Sequence, residues 1–407
     1  MTYARRLVAI AVSAVTALTL SLSPAAAIPS TAPSGIDVSS NNHASLRGID
    51  WNAVKSDGQS YAFVKATEGT GYVNEKFVGD ANAARVAGLK VGAYHYARPA
   101  GDAKYQAANF ASQIALVPGQ TLPPVLDIEV SEGLSQAQLT EWIDTFMTEV
   151  KHLTGRTPML YTYKYFWMGE MGNTTEFSEY PLWLAAYQDT APEPVGGWDK
   201  LAFWQRSGSG RVAGVETDVD MNLFNGTHAQ LESFSAGNYI DFGGVLREMT
   251  VPGLDLGEDA TALIGAIIAL AAGAALMPAV VDAAADAGIS IDPQGLATQA
   301  EQLLNDGAIT TDDLQKLISN DATVSDLAIF LDNADHLQQM SSANTGAAPE
   351  AGAADQGGDE SNAAAVSDIE VDAEDVAAAS EMADAAGVET PDVDHVQVAG
   401  AVNQALN

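Results

Sequence analysis

Between Gly35 and Gly237 short apolar runs alternate with longer amphipathic stretches, and the alternation is kept up for eight runs. In order they are Ile36–Ser39, Tyr61–Ala66, Lys90–Tyr96, Pro124–Glu129, Pro158–Tyr163, Pro181–Ala186, Ala202–Gln205 and Asp218–Leu223. Short runs bounded by turn residues read as strands. The gaps between the first five have room for helices. Asn74–Ala87, Tyr105–Leu116 and Ser135–Leu153 are examples, and Ser135 is placed to cap the last. The later connections differ: Tyr187–Leu201 is rich in Pro and Gly, while Arg206–Thr217 contains Gly208, Gly210 and Gly214 and reads as a hairpin. Eight strands with helices mainly after the early ones predict an α/β fold, a βα barrel that loses its helices late. The active site of such a barrel lies at the C-terminal ends of the strands.

The strongest local feature falls at one of those ends. Leu122-Pro-Pro-Val-Leu-Asp127-Ile-Glu129 is an apolar strand closing in two carboxylates separated by one residue. Positions i and i+2 of a strand point to one face, so both acids would share a pocket. Burial and mutual repulsion then raise the pKa of one of them, leaving a protonated acid beside an ionised neighbour. Glycoside hydrolysis requires that combination. A lone Asp-x-Glu also serves as a solvated strand edge or a helix cap. Two further carboxylates argue for the catalytic use: Asp37 in the first run and Asp220 in the last, which are neighbours in a closed barrel.

Aromatic side chains gather at the same strand positions: Tyr94, Tyr96, Tyr161, Tyr163, Trp183, Tyr187 and Trp204. Their faces suit the C–H faces of sugar rings, although each also fits core packing. His95 reads as a packed core histidine. Several carboxylates also suit a hard divalent cation, but no EF-hand loop or His-rich ligand set accompanies them, so neither metal nor cofactor is expected. No Gly-x-Ser-x-Gly elbow, P-loop or Gly-x-Gly-x-x-Gly fingerprint is present, which argues against esterase, NTPase and dinucleotide chemistry.

Charge narrows the partners. The chain of 407 residues carries 18 basic and 53 acidic side chains, a net charge of −35. The acidity is uneven: residues 28–236 hold 14 Lys+Arg and 23 Asp+Glu, whereas residues 237–407 hold 2 and 30. Without clustered basic residues a nucleic-acid partner is excluded. The first 27 residues read as a secretory signal, with Arg5 and Arg6, an apolar core over Leu7–Leu22, and Ala25-Ala26-Ala27 before the cut. The protein is therefore expected to be secreted, extracellular or at the cell surface. It has no cysteine, so its core alone must hold the exported domain together.

At this point residues 35–232 resemble the glycoside hydrolase family 25 lysozymes, the N-acetylmuramidases of the Chalaropsis type. Eight stretches carry the resemblance in order: Gly35-Ile-Asp-Val-Ser39, Ile49-Asp-Trp51, Phe63-Val-Lys-Ala-Thr-Glu-Gly69, Gly88-Leu-Lys-Val-Gly-Ala-Tyr-His-Tyr96, Pro124-Val-Leu-Asp-Ile-Glu129, Leu182-Trp-Leu-Ala185, Phe203-Trp-Gln205 and Val219-Asp-Met-Asn222. The resemblance implies a flattened, TIM-like (β/α)5(β)3 barrel that hydrolyses the β-1,4 bond between N-acetylmuramic acid and N-acetylglucosamine in bacterial peptidoglycan. It implies Glu129 as general acid and Asp127 as the group that stabilises developing positive charge or orients the acetamido group. Asp37 and Asp220 would tune the pair. Tyr94, Tyr96, Tyr161, Trp183 and Gln205 would contact substrate. The chain departs from the family after Asp37, where it reads Ser40-Asn41-Asn42-His43. A chitinase-like hydrolase and an inactive cell-wall glycan-binding protein are the alternatives.

Past residue 236 the resemblance ends. The domain order expected is a signal peptide (1–27), a hydrolase barrel (35–236), a linker (237–260), a helical segment (261–340) and a disordered acidic tail (341–407). The tail has 14 acidic residues and no Lys or Arg, and such composition cannot bury enough apolar surface to fold alone. Thr261–Met277 is apolar, at the lower length limit for a membrane span, with acidic flanks and small residues at Gly265, Ala269 and Gly273. It fits a buried or self-associating helix better than a span, and membrane contact stays open. Leu296–Leu304 and Asp312–Ile318 read as short amphipathic helices.

Overall fold

A computed structural model of the chain describes residues 32–44, 48–251, 260–272, 277–286 and 293–345. The expected signal at 1–27, Gly273 and the acidic residues from 346 onward lie outside the described residues. Nine strands form one sheet: β1 (Ser34–Val38), β2 (Tyr61–Glu68), β3 (Tyr72–Val73), β4 (Lys90–Tyr96), β5 (Val125–Asp127), β6 (Met159–Tyr163), β7 (Leu182–Ala185), β8 (Phe203–Gly210) and β9 (Val219–Phe224). The order is β1-β9-β8-β7-β6-β5-β4-β2-β3, and β1 also pairs with β2. The sheet therefore closes into an eight-stranded barrel, with β3 a short antiparallel partner of β2 outside the ring.

Strand direction follows the connections. Helices α1 (Trp51–Ser56), α2 (Phe77–Val86), α3 (Ala103–Ala115) and α4 (Gln136–Thr154) lie between the early strands, and pairing there is parallel. Between Gly210 and Val219 only a short loop intervenes, too short for a crossover, so β9 runs antiparallel to β8 and β1. The expected hairpin is present, and it extends β8 five residues past Gln205. Pro123 and Pro124 offer no N–H to the ladder, which delays the start of β5 until Val125.

The helices are set by periodicity and caps. In α4, Leu139, Trp142, Ile143, Phe146, Met147 and Val150 are buried at helical spacing. Gln138 Oε1 accepts the N–H of Ser135 at the N-terminus (3.0 Å), and Gly155, at φ 66°, supplies the left-handed residue that stops the helix. Truncating Phe146 to Ala would cost about 3–5 kcal/mol.

The barrel interior is aromatic. Phe63 of β2 stacks on Trp183 of β7 with ring centroids 4.6 Å apart, and Phe203 of β8 meets Tyr61 and Phe63 edge-on at 5.1 and 5.3 Å. Space for these rings comes from Gly35 and Gly92. A Cβ there would lie 2.3 Å from the Tyr61 ring and 2.5 Å from the Phe63 ring.

After α5 (His228–Ser235) the chain stays against the barrel, where Phe242 packs on Phe224 and Phe234. Beyond residue 259 come α6 (Thr261–Ala271), α7 (Met277–Asp286), α8 (Pro293–Asn305), α9 (Thr311–Ser319) and α10 (Val324–Thr345). They bury Leu263, Ile264, Ile267, Ala300, Leu303, Leu314, Leu317 and Leu327. The apolar stretch from Thr261 is thus a short helix packed on its neighbours, and among the described residues no helix is long and apolar enough to cross a membrane.

Candidate active site

The C-terminal ends of the parallel strands surround a cavity of about 250 Å3. Asp37, Tyr94, Tyr96, Asp127, Glu129, Tyr161, Trp183, Tyr187, Gln205 and Asp220 line it, whereas Tyr163 and Trp204 do not. Asp127 is the last residue of β5, between Tyr96 of β4 and Tyr161 of β6. Ile128 N–H still donates to the Tyr161 carbonyl (3.0 Å), so strand alternation continues past Asp127 and brings Glu129 to the same face. Asp37 faces Asp220 directly across the β1–β9 pair. Because β9 runs the other way, its first residues sit beside the last residues of β1, and all four carboxyls meet at one rim.

A hydrogen-bond chain ties the walls to the acids. The hydroxyl of Tyr161 donates to Gln205 Oε1 (2.9 Å), and Gln205 Nε2 donates to Asp37 Oδ2 (3.1 Å). Asn222 Nδ2 donates to the same Asp37 oxygen (2.7 Å), while its own Oδ1 accepts the indole N–H of Trp183 (2.9 Å). Tyr187 also reaches Gln205 Oε1 (3.3 Å). Not every aromatic singled out takes part. Trp204 alternates to the outer face, where its N–H meets the Ala186 carbonyl, and Tyr163 packs against Tyr165 and Phe166. His95 is fully buried between Thr67 Oγ1 and Gln106 Oε1, both at 2.8 Å.

Burial dominates the electrostatics. It pushes the Glu129 carboxyl up to about 7, against the opposing pull of the Asn333 amide. Burial, and then the charge of Glu129, hold Asp127 well above the usual carboxylate range. Burial raises Asp37 to about 6 despite donation from Asn222 and Gln205, and burial with the charge of Asp37 raises Asp220 well above its ordinary value. Each pair therefore titrates as a unit that keeps a proton near neutral pH. Asp127 Oδ1 is buried and, among the described residues, accepts no hydrogen bond.

Several wall residues were not anticipated. Lys65, in the middle of β2, is buried with its Nζ 2.6 Å from Glu68 Oε2 and 4.9 Å from the Tyr96 ring centroid. Arg98 joins Glu68 (3.1 Å) and Glu132 (2.6 Å). A lysine inside an apolar run, with a glutamate three residues on, was the available signal, because a buried charge needs a partner. Asn41 and Asn42, in the stretch that departs from the family, line the cavity, while His43 turns away to Asp80 (2.7 Å). No signal pointed to the remaining wall, which is α10. Asn333 Nδ2 donates to Glu129 Oε2 (3.1 Å), and His336 lies 2.9 Å from Glu68 Oε2. Among the described residues no group of His, Asp and Glu has the arrangement to hold a metal ion.

An eight-stranded barrel that gathers paired acids and aromatic walls at its C-terminal mouth defines a barrel glycoside hydrolase. Residues 36–215 match the profile of glycosyl hydrolases family 25. The chain is 40% identical to lysozyme M1 of Streptomyces globisporus, over 45% of this chain and 66% of that protein. It is 33% identical to the N,O-diacetylmuramidase of Chalaropsis sp, over 50% of this chain and 99% of that protein. A crystal structure of a lysozyme from Streptomyces coelicolor aligns at a TM-score of 0.47 with 39% identity, covering 50% of this chain and 97% of that one. The chain belongs to glycosyl hydrolases family 25.

Proposed function

We propose that the protein is a secreted muramidase that cuts the β-1,4 bond between N-acetylmuramic acid and N-acetylglucosamine in peptidoglycan. The observation that carries the reading is the Asp127–Glu129 pair, both acids raised by burial at a mouth walled by tyrosines and a tryptophan. A carboxyl raised to about 7 is matched to proton transfer near neutral pH. Glu129 gives that proton to the glycosidic oxygen as the bond from the anomeric carbon breaks, and its carboxylate can take a proton back from the water that completes hydrolysis. Asp127 stabilises the oxocarbenium-like carbon or orients the acetamido group. Asp37, held by Gln205 and Asn222, and Asp220 tune that pair through their charge. Tyr94, Tyr96, Tyr161 and Trp183 supply faces and hydroxyls for the sugars, and Gln205 holds Tyr161 in place. The names of the relatives, a lysozyme and a diacetylmuramidase, agree with this substrate, and a signal at residues 1–27 would take the enzyme to it.

The test is mass spectrometry of products from purified peptidoglycan after prolonged incubation. New reducing ends should be N-acetylmuramic acid, and Glu129→Gln should lower their yield about 100-fold or more. New ends of N-acetylglucosamine, or equal yields from both proteins, would remove the proposed role.

A further inference from the structure

Among the described residues, the wall of the cavity that does not belong to the barrel is α10. Its path follows the order of the strands. The Ser325 hydroxyl accepts the N–H of Tyr187 just past β7 (2.6 Å), and Asp326 Oδ1 accepts the N–H of Tyr165 just past β6 (3.1 Å). Asn333 then reaches Glu129 past β5 and the hydroxyl of Tyr96 at the end of β4 (3.3 Å), and His336 reaches Glu68 at the end of β2. From Ser325 to His336 the helix rises about 16 Å. Five adjacent strands span about 19 Å. One helix thus crosses the mouth over β7, β6, β5, β4 and β2.

We propose that α10 is a built-in inhibitor, seated where a glycan strand would have to lie and released before the barrel can hydrolyse it. This rests on the reading of the mouth as a glycan cleft. Ile329, Asp332, Asn333, Asp335, His336 and Gln339 line the cavity, so the helix fills the groove with one face. The remaining space, about 250 Å3, is below the roughly 300–1,000 Å3 of small-molecule pockets. The helix lies across the path that a polymer, entering and leaving at both ends, would have to take. The contact also engages the reacting group. Asn333 presents a carboxamide whose N–H meets Glu129 while its oxygen accepts from Tyr96. An N-acetyl sugar offers the same donor and acceptor pair, so Asn333 competes for the same partners.

Completion of the site by α10 is the opposite reading, and two observations oppose it. The residues that match the family end at 215, more than a hundred positions before Val324. Asp332 also brings a fifth carboxyl into the cavity, where burial raises it and its repulsion of Glu129 and Asp220 weakens the docked state. What holds the helix is its string of hydrogen bonds along the rim and the tether, which keeps its effective concentration in the millimolar range.

The experiment uses the full chain and two variants. One combines Ser325→Ala, Asp326→Ala, Asn333→Ala and His336→Ala; the other, Asn333→Leu alone, removes only the bonds to Glu129 and Tyr96 and guards against misfolding of the first. Initial rates of reducing-end release from peptidoglycan should rise at least tenfold in the fourfold variant and by less in Asn333→Leu. In a Glu129→Gln background, calorimetric binding of a soluble tetrasaccharide of alternating N-acetylglucosamine and N-acetylmuramic acid should tighten at least tenfold with the same substitutions. Rates and affinities equal to or below those of the unsubstituted chain overturn occlusion. Tighter binding with no hydrolysis by any chain would leave occlusion standing and remove the muramidase reading.

Discussion

Asp37 and Asp220 stand opposite each other across the β1–β9 pair, at the seam where the barrel closes. Two donors, Asn222 and Gln205, converge on a single oxygen of Asp37, yet burial still raises both carboxyls. With Asp127 and Glu129, the mouth holds four acids that burial makes costlier to ionise than they are in water. A site kept at that cost makes the stability of the protein depend on pH in an unusual direction.

For most proteins carboxylates favour the folded state as pH rises through 4. Here the sign reverses. Asp37 moves from 3.8 to about 6 and Glu129 from 4.5 to about 7 on folding. Between those limits the unfolded chain has released protons that the folded chain retains, so stability falls as pH rises, by roughly 3 kcal/mol for each group acting alone. Asp127 and Asp220 act in the same sense. His95, lowered from 6.5 to about 4 by burial, opposes them as one group against four. On the acid side, burial of Glu68 is outweighed by His336 and Lys65, which hold it at about 2 instead of 4.5; its contribution is lost as pH falls below 4.5. Thermal unfolding followed by circular dichroism should show the highest Tm between pH 4 and 5 and a decline toward pH 7. The double variant Asp37→Asn, Glu129→Gln should flatten that decline, and a Tm that rises from pH 5 to 7 would mean that these acids are not held protonated by burial.

Asn222 is fully buried and bridges Trp183 to Asp37. Asn222→Ala leaves an indole N–H without its acceptor and Asp37 without one of its two donors. Stability should drop by roughly 2–4 kcal/mol, since each stranded buried group costs about 1–3 kcal/mol. Losing a donor also moves the Asp37 titration upward from about 6. Urea unfolding gives the first quantity, and carboxyl 13C shifts against pH give the second. A variant as stable as wild type with an unchanged titration would mean that Asn222 is not the bridge.

How much of this was legible depended on which residues obey a local rule. The eight strands were readable because each is a short apolar run between turn residues, and Asp127 with Glu129 because the strand period of two puts both on one face. Tyr161 and Trp183 were visible as aromatics at strand positions, Gln205 came with the family resemblance, and the hairpin after it was marked by Gly208, Gly210 and Gly214. β3 is two residues long and carries no period. The π-helical turn at Phe166–Glu170 leaves no pattern either. The role of α10 was illegible for a different reason. Helices are recognised by an apolar face turned inward, whereas α10 turns Asn333 and His336 toward the barrel and meets carboxylates with them. That face has meaning only beside a mouth formed two hundred residues earlier.

His95 gives a prediction about what the chemistry does not use. It lies within the third strand of the ring, stacks on Phe146 with centroids 4.9 Å apart, and has both ring nitrogens engaged by Thr67 and Gln106. Burial holds it at about 4, so it is neutral wherever the enzyme would work. Its ring signals in NMR should stay constant from pH 8 to 5, and His95→Gln should cost stability while leaving the pH dependence of hydrolysis in place. A titration near 6.5, or a shifted pH profile in that variant, would return His95 to the list of acid–base candidates.

The aromatic interior makes the most local demand on sequence. Gly35 of β1 sits directly opposite Tyr61 of β2, and an added Cβ would lie 2.3 Å from that ring. The ring cannot retreat, because Tyr61 is fully buried against Phe203 and Phe63. Gly35→Ala should therefore destabilise the barrel by about 1–3 kcal/mol or more through overpacking. Gly92→Ala, 2.5 Å from Phe63 and 3.0 Å from Leu122, should behave alike. Gly79 is the contrast: it is exposed in α2, and a methyl added there would meet nothing within 4 Å, so Gly79→Ala should stabilise by roughly 0.5–1 kcal/mol through reduced backbone entropy. Urea midpoints for the three variants separate the effects. If Gly35→Ala and Gly79→Ala shifted the midpoint alike, the close approach of β1 to the Tyr61 ring would not be a steric demand of the barrel.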